Sequence, residues 1–153
     1  GRSTVWAHDI APQRMADLPE RARRAGAEIT LVSTGGLAAL AGQCDLVFVD
    51  APCSGSGAWR RNPDAKWRLT REGLDRVREV QAQLLDQAVG LIAPAGRICY
   101  ATCSLLPGEN AGQIAAFLAR HPGWSAGQSL SLTPLDGTDG FFGTVLTKTL
   151  GSR

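Results

Sequence analysis

The feature that most constrains the fold is an uninterrupted apolar run, DLVFVD at residues 45–50, which ends on an acidic residue. Its central residues show no alternation of polar and apolar side chains, and this is typical of a strand covered on both faces. Such strands belong to α/β folds, in which helices pack on both sides of a mostly parallel sheet. The run therefore predicts an α/β protein with Asp50 at the carboxyl end of a buried strand.

The rest of the chain alternates between strand patterns and helix patterns, as a sheet with crossover helices requires. Strands are predicted over residues 4–9, 28–33, 45–50 and 96–104, with two more near 124–132 and 140–148. Helices are predicted over 12–26, 70–93 and 107–123, a loop with one helical turn over 35–42, and a long loop over 51–69. Pro19 lies inside the first helix and should kink or split it. Thr70 is the expected N-cap of the second helix, which Pro94 ends.

Composition limits the class of protein. With 153 residues, 44% of them hydrophobic and 20% charged, the chain suits one ordered domain. A net charge of +2 is too small to indicate a nucleic-acid binder by itself, but nearly all the cations are arginines, with lysine only at Lys66 and Lys148. Arginine favours bidentate contacts to phosphate, although a bias in genomic base composition explains the same excess.

Two further features bear on location and completeness. No apolar run reaches the roughly 18 residues that a membrane span needs, and no basic-then-apolar leader opens the chain. The prediction is therefore a cytoplasmic protein with reduced thiols and no membrane partner. The chain opens on GRSTVWAHD, without Met and with almost no lead-in to its first strand, so we expect a fragment that lacks an N-terminal part.

The cysteines divide into two kinds. Cys99 and Cys103 lie on one predicted strand about 13 Å apart, too far for a disulfide. Cys99 is therefore interpreted as a packed core residue, and Cys44, which precedes a strand, as structural. Cys53 and Cys103 both follow strand ends, as do Asp9 and Asp50, and ligands of α/β sheets bind beyond such ends.

If the strands that precede Cys53 and Cys103 are neighbours, their ends lie about 5 Å apart, and two thiols from distant parts of the chain converge. Zinc is disfavoured because the chain has no close Cys-x-x-Cys pairs, and a redox dithiol remains open without that motif. A nucleophilic thiol needs positive charge or a base nearby, which Arg60 and Arg61 would supply. The alternative is that these arginines belong to a solvated loop.

Four stretches together resemble the Sun (Fmu) family of RNA cytosine-C5 methyltransferases, which use S-adenosylmethionine. They are VWAHDIAPQRMADLPERARRAG, DAPCSGSGAWRRNPDAKW, YATCSLLPGEN and DGFFGTVLTK, in the order and spacing of that family. The resemblance implies a Rossmann-like class I methyltransferase sheet, mostly parallel, with an antiparallel C-terminal strand pair. It also implies that residues 1–153 are part of a catalytic domain that lacks the first central strand and the cofactor loop.

The resemblance assigns roles to both thiols and to Asp50. Cys103, in the Thr-Cys motif, would add to carbon 6 of the cytosine, so that carbon 5 becomes nucleophilic. Cys53, in the Pro-Cys motif, would assist the later elimination. Asp50 would hydrogen-bond or protonate ring N3, which as an acid requires a pKa raised by burial, and would also touch the cofactor.

Further roles concern the cofactor and the RNA. Asp9 would hold the ribose hydroxyls of S-adenosylmethionine, and Arg60 and Arg61 would contact phosphate of an RNA, expected to be ribosomal. The target cytosine must leave its stack to reach the thiol. No metal is expected, and the protein is expected to be a monomer.

Two departures from the family pattern matter. The glycine-rich loop that should precede Thr4 is missing, and Ser33 or Thr34 stands where an acid would meet the adenine. We therefore expect this fragment to bind S-adenosylmethionine weakly or not at all. Two alternatives stay open: an inactive RNA-binding or interaction module that retains the motifs, and a small dithiol redox protein.

Overall fold

The computed structural model describes residues 3–149. The described residues form two compact units, 3–41 and 42–149. Their described strands form two separate sheets, one of two strands and one of five. Each unit is described here by itself.

The first unit pairs two short parallel strands across a helical connection. Strand β1, Val5–Ala7, lies beside β2, Ile29–Leu31, with Val5 opposite Ile29. A 3₁₀ turn at Pro12–Met15 and helix α1 at Leu18–Arg24 connect them, and a 3₁₀ stretch at Thr34–Leu40 follows. The helix predicted over 12–26 is thus split, because Pro19 has no amide hydrogen and is placed in the first turn of α1, where none is needed.

The second unit contains the larger sheet and its helices. In chain order its elements are β3 Cys44–Asp50, α2 Pro63–Arg68, α3 Arg71–Leu91, β4 Ile92–Thr102, α4 Ala111–Arg120, β5 Trp124–Ala126, β6 Leu130–Leu132 and β7 Phe141–Lys148. The strand order is β3-β4-β7-β5, and β6 also pairs with β7. Strands β3 and β4 are parallel, whereas β7 runs antiparallel to β4, β5 and β6.

The core of this unit is built on β4 and the two longer helices. Ile98 and Tyr100 from β4, Leu85 from α3, Phe117 from α4 and Leu146 from β7 are all fully buried. Burial of an apolar side chain of this size contributes about 1.5–3 kcal/mol relative to leaving it in water. Strand β4, which lies between β3 and β7, is therefore fixed in the core, and the loop that carries Cys103 begins at its end.

Strand β3 differs from its prediction. Val47 and Val49 pack toward the core, whereas Leu46 and Phe48 are 55% and 60% exposed. Side chains alternate between the two faces of a strand, and β3 lies at the edge of the five-stranded sheet. The prediction of a strand covered on both faces is therefore wrong, and so is the prediction of a buried acid, because Asp50 is on the exposed face.

Other boundaries also shifted. The predicted loop 51–69 contains a 3₁₀ turn at Ser56–Ala58 and helix α2, which begins at Pro63. Helix α3 begins after Thr70, whose Oγ1 accepts from the Gly73 amide at 3.0 Å, as predicted. It ends at Leu91, and β4 starts at once, four residues before the strand predicted from Gly96. No described helix is both long and apolar enough to cross a membrane.

Candidate active site

The two candidate thiols meet at the carboxyl edge of the parallel strand pair. Asp50, the last residue of β3, lies opposite Ala101 of β4, so the two strands end side by side. Cys53 is in the loop after β3, and Cys103 directly follows β4. Their Sγ atoms are 3.3 Å apart. The structure thus brings together the two sulfurs that the strand pattern predicted to converge.

The environments of the two thiols are unequal. Cys103 is exposed, whereas Cys53 is half-buried. Burial raises the pKa of Cys53 to about 12, and the adjacent Cys103 acts in the same direction, against a lowering contribution from the Gly55 backbone. At neutral pH Cys53 is therefore a protonated thiol within hydrogen-bond distance of an accessible sulfur. The pair offers one sulfur that a substrate can reach and a second that holds a proton beside it.

Glu109 lies behind the thiols and is fully buried. At Oε1 it accepts from the Ser54 amide at 2.8 Å and from Gln81 Nε2 at 3.0 Å. At Oε2 it accepts from the hydroxyls of Ser54 and Ser104, both at 2.5 Å. The carboxylate therefore connects the residue after Cys53 with the residue after Cys103.

A second set of hydrogen bonds holds the loop after β4. Thr102 Oγ1 donates to Asn110 Oδ1 at 2.6 Å, and Asn110 Nδ2 donates to the Ser104 carbonyl at 2.8 Å. Ser56 Oγ lies 3.0 Å from Ser104 Oγ and accepts from the Leu105 amide at 2.8 Å. Thr102, Ser104 and Asn110 are all buried, so each loop is held by polar groups shielded from water.

Two core side chains anchor this network to the sheet and to α3. The Tyr100 hydroxyl donates to the Glu109 carbonyl at 2.8 Å, and burial, followed by the negative charges near it, raises the pKa of that hydroxyl. Gln81 donates to the Pro52 carbonyl at 2.9 Å as well as to Glu109, and Gln113 donates to Gln81 Oε1 at 3.2 Å. The loop that carries Cys53 is therefore connected to α3 through Gln81.

A glycine pair allows the two loops to approach closely. The Gly57 amide donates to the Cys103 carbonyl at 3.0 Å, and the Gly140 amide donates to the Gly57 carbonyl at 2.9 Å. A Cβ atom on Gly57 would lie 2.3 Å from the Gly140 carbonyl oxygen. Only a residue without a side chain fits there, so the segment before β7 also supports the site.

Arg60 and Arg61 lie beside Asp139, an acid to which the sequence assigned no role. Arg61 Nε donates to Asp139 at 2.5 Å and Arg60 Nη2 at 3.3 Å, while both arginine side chains remain largely exposed. Burial raises the pKa of Asp139, but the two arginines outweigh it and hold that pKa below its ordinary value. Exposed ion pairs of this kind contribute about 0–1 kcal/mol, so an incoming phosphate can compete for them.

Trp67 of α2 is a further exposed group, 82% accessible, and the Lys66 ammonium lies 5.4 Å from its ring centre. Neither residue was given a role from the sequence. An exposed aromatic ring next to a cation is a surface that suits a nucleic-acid base.

Asp9 belongs to the first unit and follows β1. Its Oδ1 accepts from the Ala11 amide at 2.7 Å, and its Oδ2 lies 3.9 Å from Arg14 Nη1. The carboxylate is 30% exposed, and its Oδ1 closes a local turn. No group of three side chains that could hold a metal ion occurs in residues 3–149.

Glu109 and Gln81 are the supporting residues that sequence reasoning missed. Glu109 lies six residues after Cys103 in the stretch YATCSLLPGEN, and that short spacing was the available signal. Nothing in the sequence separates a buried Glu from the many that lie on surfaces. The half-buried position of Cys99 also differs from its interpretation as a core residue, whereas Cys44, which was interpreted as structural, is buried.

The fold recurs in solved structures. The crystal structure of PH0851 matches with a TM-score of 0.87 and 29% identity, over 95% of this chain and 37% of that one. NSun6 from Pyrococcus horikoshii matches with a TM-score of 0.79 and 20% identity, over 97% and 42%. These neighbours have the class I methyltransferase fold, and the predicted Rossmann-like α/β class is confirmed.

The family follows from the sequence comparison. The family model described as 16S rRNA methyltransferase RsmB/F matches residues 1–144, so this chain belongs to that family. Ribosomal RNA small subunit methyltransferase B of Sodalis glossinidius (strain morsitans) is 40% identical in an alignment 151 positions long, which covers 90% of this chain and 35% of the relative. The chain thus spans about a third of that relative's length. The Sun (Fmu) resemblance is confirmed, with S-adenosylmethionine as the methyl donor of the family.

Proposed function

We propose that this chain carries the catalytic thiols of an enzyme that methylates carbon 5 of a cytosine in ribosomal RNA through a covalent cysteine adduct. The observation that carries the proposal is the 3.3 Å separation of Cys53 and Cys103 in unequal environments. The family supports methylation of ribosomal RNA. The thiol pair supports the choice of carbon 5, because that carbon needs a nucleophile added to carbon 6 before it can accept a methyl group.

Cys103 acts as the nucleophile because its sulfur is exposed. Its thiolate forms an S–C6 bond, and the ring electrons shift toward N3 and carbon 5. Asp50, at the end of β3 and on its exposed face, acts in its protonated form and donates its proton to N3 as negative charge builds there. A flipped cytosine that covers Asp50 excludes water from its carboxyl group. The bound base, rather than the strand, then supplies the shielding from water that Asp50 needs to act as an acid.

Cys53 assists release. After methylation, a water molecule takes the proton from carbon 5, and the electron pair left behind re-forms the C5–C6 double bond. The S–C6 bond then breaks, so that the Cys103 sulfur departs with the bonding electrons, and N3 returns its proton to Asp50. A neutral thiol at 3.3 Å donates a hydrogen bond to that sulfur and stabilises its developing charge. The pKa of about 12 keeps the proton on Cys53 at neutral pH for this purpose.

S-adenosylmethionine supplies the methyl group when bound. In this chain Asp9 would hold the ribose hydroxyls, and Asp50 would lie near the methyl donor. A glycine-rich loop before β1 is not among the 153 residues, so we propose that the chain by itself binds the cofactor weakly or not at all. Calorimetry on the 153-residue chain tests this, and micromolar binding would contradict it.

RNA contacts come from the loop and helix after Cys53. Arg60 and Arg61 exchange Asp139 for an RNA phosphate, and Trp67 stacks on an unpaired base next to the target. We further propose that residues 1–153 are part of one catalytic domain, that the protein acts as a monomer, and that it acts in the cytoplasm, where ribosomal RNA is found.

Incubation of the longer protein that carries this chain with a 5-fluorocytosine RNA and S-adenosylmethionine tests the reaction. Fluorine replaces the hydrogen of carbon 5 that must be removed as a proton before elimination, so a covalent RNA–protein adduct should accumulate. Cys103→Ala should abolish the adduct, whereas Cys99→Ala, a matched change on β4, should not. RNA binding without any adduct would favour a non-catalytic RNA-binding module.

The role of Cys53 has its own test with an ordinary cytosine RNA. Cys53→Ala should accumulate the adduct that the unmodified enzyme resolves, and turnover should fall. Normal turnover without adduct in that variant would remove Cys53 from the mechanism.

A further inference from the structure

We propose that Glu109 is a positioning residue, which sets the distance between the Cys53 and Cys103 sulfurs by holding the two loops that carry them. The proposal rests on the proposed function only for what the thiols do, and its geometric content stands apart from that reaction. The carboxylate of Glu109 acts indirectly, because its hydrogen-bond donors are Ser54, Gln81 and Ser104 and not the two sulfurs.

The carboxylate contacts the residue that follows each cysteine. Glu109 accepts from both the amide and the hydroxyl of Ser54, the residue after Cys53, and from the hydroxyl of Ser104, the residue after Cys103. The hydroxyl oxygens of Ser54 and Ser104 are 3.3 Å apart, the same separation as the two sulfurs. One carboxylate therefore holds the residue next to each thiol, through the backbone and side chain of Ser54 and through the side chain of Ser104.

The carboxylate is saturated by these contacts. An ionised carboxylate has about four lone-pair positions, and all are used here, by two nitrogen and two hydroxyl donors. The donors are uncharged, and the side chain is fully buried, so Glu109 is held by hydrogen bonds rather than by a cation. Loss of any one donor would leave a buried oxygen of this side chain without a hydrogen bond, which is costly, so the arrangement resists movement of the loops.

The residue is itself fixed from the core. Its carbonyl accepts from Tyr100, a fully buried side chain of β4. Gln81 of α3, also fully buried, donates both to Glu109 and to the Pro52 carbonyl directly before Cys53. Movement of either loop therefore requires breaking hydrogen bonds to the fully buried side chains of Glu109 and Gln81.

The chemistry of the side chain predicts a graded response to substitution. In Glu109→Gln the amide oxygen can still accept two hydrogen bonds, and the amide nitrogen can donate to the serine oxygens if their hydroxyls rotate. In Glu109→Ala four donors lose their acceptor. The alanine variant should therefore release the loops, whereas the glutamine variant should retain part of the order.

The test measures the effective concentration of one thiol at the other in the longer protein that carries this chain. In a glutathione buffer, oxidised glutathione accepts two electrons, the Cys53–Cys103 disulfide forms, and two molecules of reduced glutathione are released. The buffer composition at half oxidation gives the effective concentration, and peptide mass spectrometry identifies the pair.

We expect Glu109→Ala to lower this effective concentration by about tenfold or more, with Glu109→Gln between it and the unmodified protein. Glu79→Gln, a matched change at an exposed position on α3, should leave it unchanged. All are measured well below the melting temperature of each variant, so loss of overall stability does not enter. An unchanged effective concentration in folded Glu109→Ala overturns the proposal.

If Glu109→Ala does not fold, Ser54→Ala and Ser104→Ala each remove one hydroxyl donor and should lower the effective concentration by a few-fold. Unchanged values in both would overturn the proposal equally. In the methylation assay Glu109→Gln should lower kcat by about tenfold with little change in KM for RNA, as expected of a residue that orders reacting groups after binding. Failure of all adduct formation would count against the proposed function and leave the thiol measurement standing.

Discussion

The two units of the chain support their candidate site residues by different means. In residues 42–149, Cys53 and Cys103 follow neighbouring strands, and buried Glu109, Gln81 and Tyr100 hold their loops from distant parts of the sequence. In residues 3–41, Asp9 is held by the amide of Ala11, two residues away, and by a long contact to Arg14. The first arrangement depends on tertiary packing, and the second is local.

This difference predicts that the two units differ in the free energy of local unfolding. The core of the second unit contains large buried side chains on several elements, whereas Ala22 and Leu37 are the buried hydrophobic residues of the described part of the first. Regions with few buried apolar contacts open at lower free energy. The thiols therefore follow strands that are packed into a core, whereas Asp9 belongs to a segment with few buried apolar side chains.

The largest expected effect is that of Gly57→Ala on the thiol loops. The new Cβ would lie 2.3 Å from a backbone carbonyl oxygen of Gly140, which cannot move without breaking the close approach. We expect a loss of about 3 kcal/mol or more in the free energy of unfolding, measured by chemical denaturation.

Gly35→Ala in the first unit is the matched control for that change. No atom lies within 4 Å of the added Cβ there, so the effect should stay within about 0.5 kcal/mol. Equal effects of the two alanines would mean that the loops of the second unit are as adaptable as the local turns of the first, and the comparison would fail.

A smaller effect concerns the pH dependence of stability. Burial raises the pKa of Cys53 from an ordinary 9.0 to about 12, so above pH 9 the unfolded chain loses this proton first. The contribution of the Cys53 thiol to the free energy of unfolding is fully present below pH 9 and is lost as pH rises toward 12. Cys53→Ala should therefore reduce the alkaline fall in the free energy of unfolding, by on the order of 1 kcal/mol once solvent screening of the half-exposed thiol is included.

Denaturation curves at pH 8 and pH 10.5 measure this difference. Gly35→Ala, which adds and removes no titratable group, should show the same alkaline fall as the unmodified chain. A Cys53→Ala curve parallel to the unmodified one would indicate that the thiol is solvated in the folded state.

The smallest expected effect is that of Asp9→Ala on the first unit. It removes the acceptor of the Ala11 amide and should cost about 0.5–1 kcal/mol locally, as loss of a capping acceptor does. Hydrogen exchange of the Ala11 amide should become several-fold faster. Asp17→Ala, which removes only an exposed ion pair with Arg21, should leave that exchange rate unchanged.

The sequence was a good guide where the signal is local and periodic. It predicted the alternation of strands and helices, Thr70 as the N-cap of α3, and a split of the first helix on account of Pro19. It also predicted strands near the C-terminus, although the one near 124–132 is two short strands, β5 and β6. It was a poor guide to α2, because a helix of six residues has too few turns to show a period. It also misjudged β3, because an apolar run does not say whether its strand is central or at an edge.

The site shows the same limit. The convergence of Cys53 and Cys103 followed from two strand ends and one assumption, that the strands are neighbours. The pairing of Arg61 with Asp139, 78 residues apart, and the burial of Glu109 had no counterpart in the sequence pattern. Charged residues are usually exposed, so the sequence does not distinguish a buried glutamate from an exposed one until its hydrogen-bond partners are known.

The sequence by itself determined the α/β class, the family and the two cysteines at the ends of strands, because strand periodicity, helix caps and motif spacing are properties of neighbouring residues. Tertiary structure alone decided which thiol is shielded, which faces of β3 meet water, and how one carboxylate joins both loops. Burial and hydrogen-bond saturation depend on groups that are distant in the chain. Their physical effects, a raised thiol pKa and a fixed sulfur separation, exist only after the sheet has formed.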